Sequence, residues 1–60
     1  MTREDVLQKS REITAGTNCF VLPVGGTYKV CRRVQGRVIY LGYRTDGAQL
    51  VSWLRKLTSH

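Results

Sequence analysis

Two glycine-bearing pairs, Gly25-Gly26 and Gln35-Gly36, are separated by the eight residues TYKVCRRV. Pairs of this kind make two-residue turns between neighbouring antiparallel strands, although Gln-Gly is a less decisive signal than Asn-Gly. They divide the middle of the chain into three runs: Cys19–Val24 (CFVLPV), Thr27–Val34 (TYKVCRRV) and Arg37–Arg44 (RVIYLGYR). Each run is rich in β-branched or aromatic residues, and the spacing predicts a three-stranded antiparallel meander over 19–44. Pro23 has no N–H to donate to a ladder, so the first strand lies at an edge or ends there. Gly42 marks a bulge or a close backbone approach.

A meander alone is marginal in water and must bury one face. The flanking segments supply the cover. Residues 2–14 read as a helix, with Thr2 as cap and Asp5 three residues later in a weaker form of the capping box. Glu4 and Asp5 fall in the first turn, where the helix dipole favours anions. Its apolar stripe, Val6, Leu7 and Ile13, is thin, which predicts a peripheral helix. Ala15-Gly16-Thr17-Asn18 ends it, with Gly16 suited to a left-handed cap. Residues 46–58 read as a second helix capped by Thr45-Asp46. Leu50, Trp53, Leu54 and Leu57 recur there at helical spacing, with Trp53 as the core anchor. Arg55 and Lys56 occupy its last turn. The expected fold is α+β: an N-terminal helix, a three-stranded antiparallel β-meander, and a C-terminal helix packed on one sheet face. Sixty residues leave room for one core, so 1–60 is a single small domain. A chain of this size buries only ~60% of its unfolded surface, and dimerisation or a bound partner would help it. A monomer and a homodimer both fit.

Charge is concentrated in the strands. The net charge is +6, from ten Lys and Arg against four acids. Between Ile13 and Thr45 there is no acidic residue, but there are Lys29, Arg32, Arg33, Arg37 and Arg44. Acids and bases cancel in the first twelve residues, so the strip carries nearly all of the excess. An asymmetry of this kind within one small domain is the footprint of a nucleic-acid binder.

Other classes find little support. Cys19 and Cys31 are too few for a disulfide scaffold and lack the spacing and companion histidines of a zinc site; the only histidine is His60. They read as free thiols of a reducing cytoplasm. The opening MTREDVLQKS has no signal-peptide core, and no apolar run approaches the ~18 residues of a membrane span. A cytoplasmic protein without membrane contact is expected. There is no carboxylate pair in the strip, no Cys–His pair, no phosphate loop and no metal cluster, so neither an enzyme nor a cofactor is expected.

The turns set the register. About Gln35-Gly36, Val34 faces Arg37, Arg33 faces Val38, Arg32 faces Ile39, Cys31 faces Tyr40 and Val30 faces Leu41. One face then gathers Tyr28, Val30, Arg32, Ile39, Leu41 and Tyr43, and its aliphatic weight puts it under the second helix. The other gathers Lys29, Cys31, Arg33, Val38 and Tyr40, with Arg37 and Arg44 near the ends of the third strand. The register of Gly25-Gly26 adds Phe20 and Leu22 to the Lys29 face. Either that turn is longer than two residues, or part of the open face is apolar and covered by something. A one-residue slip would invert the whole assignment.

A two- or three-stranded ribbon fits the major groove of duplex DNA, and an arginine fork can grip guanine O6 and N7 or a phosphate. Lys29, Arg33 and Arg37 are the expected contacts, with Tyr40 stacking on a base or packing along the sugar edge, Arg32 at the margin of the core face and Arg44 at the strand end. The same strip can hold a single strand on Tyr40 and Phe20. The structural alternative is charge that only blunts exposed strands.

The stretch TYKVCRRVQGRVIYLGYRT, with Gly36-Arg37 in the turn, then Tyr40-Leu41-Gly42, then Thr45 and an amphipathic helix, resembles the DNA-binding domain shared by Apetala/ethylene-response factors and the arm-binding domains of tyrosine recombinases. The resemblance covers about half the chain. The helix start TDGAQL lacks that family's alanine-rich acidic pattern, and the leading helix is foreign to it. It implies that the sheet enters the major groove with the helix behind it. Lys29, Arg33, Arg37 and Tyr40 would then face DNA, and Ile39 and Leu41 the helix. The helix–three strands–helix order is also that of double-stranded-RNA-binding domains, but Thr45-Asp46-Gly47-Ala48 stands where that family has a basic cluster. The reading is a small basic nucleic-acid-binding protein, duplex DNA first, with an accessory or regulatory role in a bacterium or mobile element. The alternative is an inhibitor or adaptor that binds an acidic protein surface, which Phe20, Leu22 and Val38 on the open face would favour.

Overall fold

The computed structural model describes residues 2–59; Met1 and His60 lie outside them. The order is α1 (Arg3–Thr14), β1 (Cys19–Val24), β2 (Thr27–Val34), β3 (Arg37–Arg44) and α2 (Gly47–Thr58), with the strands in one antiparallel sheet ordered β1-β2-β3. The α+β class read from the sequence is therefore the one observed. Both helix starts use the expected caps. The Asp5 N–H donates to Thr2 Oγ1 at 3.2 Å, and the Gln49 N–H donates to Asp46 Oδ2 at 3.1 Å. Each cap satisfies an amide that the first turn leaves without a partner. Among the described residues, no helix is long and apolar enough to cross a membrane.

The core is Val6 of α1, Val30 of β2 and Leu50 and Leu54 of α2, with Ile13, Val21, Tyr28, Leu41, Trp53 and Leu57 packed around it. Both helices thus cover the Val30 face of the sheet, α1 against β1 and α2 against β3. This corrects the expectation of a peripheral first helix. α1 has few aliphatics, but Val6, Ser10 and Thr14 succeed one another at four-residue spacing and all three are buried. Ser10 Oγ donates to the Val6 carbonyl and Thr14 Oγ1 to the Ser10 carbonyl, each at 2.7 Å. A hydroxyl satisfied by its own helix in this way enters a core without an unpaired polar atom. Where α1 meets α2 there is no room for a side chain at Gly47, because a Cβ there would collide with the Val6 methyls.

The register of β1 on β2 is that of an uninterrupted two-residue turn, with Val24 opposite Thr27 and Phe20 opposite Cys31. The second hairpin closes through Gln35 and Gly36, both with positive φ (51° and 78°), the pattern of a type I′ turn. From Val34–Arg37 to Cys31–Tyr40 its pairs are those expected, but Val30 then pairs with Gly42 in place of Leu41. Leu41 is the extra residue of a β-bulge. Gly42 follows with φ 153°, and a Cβ on it would lie 2.9 Å from Trp53 Cη2. Its absent side chain lets the indole lie on the strand.

Candidate nucleic-acid interface

The pleat of the sheet sends alternate residues to opposite faces. The bulge adds one residue to β3, and everything after it changes side. Tyr43, expected under α2, therefore comes opposite Lys29 on the open face and is exposed. Arg44 comes opposite Tyr28 on the helix side. Its guanidinium lies 4.1 Å from the centroid of the Trp53 ring, and its Nη1 donates to the Tyr43 carbonyl at 2.7 Å. Arg44 is thus a half-buried clamp between β3 and α2, turned away from the face where the other candidates stand.

The open face is a grid of four rows, read from the register. Val24 stands beside Thr27; Leu22, Lys29 and Tyr43 form the next row; Phe20, Cys31 and Tyr40 the third; Arg33 and Val38 the last. Rows follow one another at ~6.7 Å and strands at ~4.8 Å. Lys29, Arg33 and Tyr40 are exposed there, as expected. The Arg33 guanidinium lies over the Phe20 ring, 5.5 Å from its centroid, which limits the conformations of that long side chain.

The remaining two candidates sit at the margins. Arg32 pairs with Cys19 and Ile39 in the helix-side set, exposed beside the end of α2, where it borders a shallow cavity with Leu57 and Thr58. Arg37 pairs with Val34 at the hairpin tip. It too alternates to the helix side, which corrects its expected place among the outward contacts. The five cations of the strip therefore divide: Lys29 and Arg33 on the open face, Arg32 and Arg37 exposed on the helix side, and Arg44 held between β3 and α2.

Sequence reading placed Phe20, Leu22 and Val38 on the open face, and they are there. It missed Tyr43 and gave no weight to Val24. The result is a face with five large exposed apolar or aromatic side chains, Leu22, Val24, Val38, Tyr40 and Tyr43, around two cations. Cys19 and Cys31 are both buried free thiols. They alternate to opposite faces of the sheet, so the fold keeps them apart.

No family model, no curated protein and no solved structure matches this chain.

Proposed function

We propose that this protein binds nucleic acid, duplex DNA in the first place, through the sheet face opposite its two helices, in an accessory or regulatory role. One observation carries the reading. Both helices cover the same face, and the face left open presents Lys29 and Arg33 among aromatic side chains, in a stretch with no acidic residue from Ile13 to Thr45. Three strands at ~4.8 Å spacing form a ribbon about 10 Å wide between outer backbones, within the ~12 Å width of the major groove. In that pose Lys29, Arg33 and Tyr40 meet base edges. Arg32 and Arg37, exposed on the helix side, stand off the base edges in that pose and have only phosphates in reach, which position a protein without reading sequence. The resemblance of the β2–β3 stretch to sheet-type DNA-binding domains supports the same pose.

A second reading rests on a separate observation. Leu22 and Val38 are 45% and 57% exposed beside the cations. Apolar side chains between charges also suit an acidic protein surface.

Titration of the protein with duplex DNA, single-stranded DNA and structured RNA at several salt concentrations separates these. Duplex binding whose affinity falls steeply with salt, by roughly 0.9 in logarithmic slope per phosphate neutralised, is expected. Arg33→Ala weakens it most and Arg37→Ala less. An absence of binding to all three at low salt would overturn the proposal, and a preference for structured RNA would move it to the double-stranded-RNA class.

A further inference from the structure

The open face holds more apolar surface than phosphate contact requires, and the register places it in a pattern. Each cation has an apolar neighbour in its own row: Arg33 stands opposite Val38, and Lys29 lies between Leu22 and Tyr43. All of these except Tyr43 belong to the set whose facing the strand alternation gives directly; the bulge brings Tyr43 to join them. A ribbon of three strands fits the groove only if the strands run along it. Lys29 and Arg33 are then ~13 Å apart along the groove, about three base steps, because the groove winds round the helix axis and its path per base pair exceeds the ~3.4 Å axial rise. Within a row, neighbouring side chains are ~5 Å apart, the reach from one base to the next.

The chemistry of the groove matches this alternation of cation and hydrocarbon. A cation recognises guanine O6 and N7. The apolar feature that the major groove offers is the C5 methyl of thymine. We infer that the open face reads guanine beside thymine methyl in duplex DNA, Arg33 acting with Val38 and Lys29 with Leu22, at two places about three base steps apart. This rests on the duplex-DNA reading above and adds the base chemistry to it. It also accounts for the exposed aliphatics of the open face, which phosphate binding leaves without a role; Val34 and Ile39, exposed on the helix side, lie outside it. It selects DNA over RNA, since uracil lacks the methyl and the A-form major groove is too narrow for side chains.

The test uses the full chain and a short duplex of repeating d(TG)·d(CA). Its period of two base pairs offers guanine beside thymine at every second position, so either cation row meets that step wherever the sheet seats. A second duplex carries deoxyuridine for thymidine and differs only in methyl groups. Fluorescence anisotropy at fixed salt is expected to show weaker binding of the uridine duplex, by about four-fold for each methyl group removed from beneath an aliphatic side chain. The salt slopes of the two duplexes stay equal, since no phosphate contact changes. Val38→Ala weakens binding of the thymidine duplex and narrows the difference. Circular dichroism checks that this variant folds, as its side chain is mostly exposed. A repeating d(CG) duplex supplies the converse, with 5-methylcytosine binding more tightly than cytosine. Equal binding of the thymidine and uridine duplexes, with a steep salt slope, overturns the methyl inference and leaves duplex binding standing. Binding to none of the duplexes overturns both, and capture of an acidic glutamate–tyrosine copolymer in their place assigns the face to a protein partner.

Discussion

Val30 and Cys31 follow one another in β2 and both are shut off from water, at 0% and 5% exposure, yet by different means. Val30 lies under two helices, among Val6, Leu50 and Leu54. Cys31 faces the side without helices and stands between its row neighbours Phe20 and Tyr40. On the first face every large side chain of the core is held by another element, while Val34 and Ile39 at its margin stay exposed, Ile39 against the expectation that it lies under the helix. On the second, cover comes only from the strands themselves, and large side chains remain in water. The described residues form two helices, and both lie on one side. Stability therefore belongs to the Val30 face, and the Cys31 face is the one left for the proposed recognition; substitutions should separate the two.

Leu54→Ala should have the largest effect, a destabilisation of about 2–5 kcal/mol, enough to unfold much of a domain this small. Urea denaturation reads it, and a change below ~1 kcal/mol would mean that the helix face is not the core. Gly47→Ala should cost about 1–3 kcal/mol through its collision with Val6. That cost should shrink in a Val6→Ala background, and a double-mutant cycle without coupling would break the account of the helix crossing. Arg44→Ala should cost about 0.5–2 kcal/mol of stability by removing the stack on Trp53. It should leave the salt slope of DNA binding unchanged, so a lower slope would place Arg44 at the interface after all. Arg33→Ala should be the reverse case. Stability should stay within ~0.5 kcal/mol, as for most surface changes, while the salt slope or the base preference changes.

The elements were legible in the sequence because their signals are local. Thr2 and Asp46 cap, the glycine pairs turn, and Leu50, Trp53, Leu54 and Leu57 recur along one helix face. What escaped depends on how the elements meet. Ser10 and Thr14 read as polar, since their burial follows from hydrogen bonds to α1 itself and from the presence of α2 beside it. Gly42 announced a bulge or a close approach and delivers both, but the sequence does not say which neighbour is the extra residue. Without Leu41 in that role, Tyr43 and Arg44 fall on the wrong faces. Arg32 and Arg33, adjacent in a basic strip, are divided by the pleat. A charge run along a strand overstates the charge on either of its faces by about two-fold.

The extra residue at Leu41 gives β3 something like a reading frame. Ahead of it, side chains are assigned to faces in one phase; behind it, in the other. A substitution in the strand alters one position, but if Leu41 entered the regular ladder opposite Val30 and the bulge were lost, Arg44 would replace Tyr43 on the open face, adding a third cation there without changing any residue; deleting Leu41 would instead leave both on their present faces. Gain or loss of the bulge at this point, at constant strand length, is thus a route by which the surface chemistry of such a sheet can change in one step, while its turns and helices remain as they are.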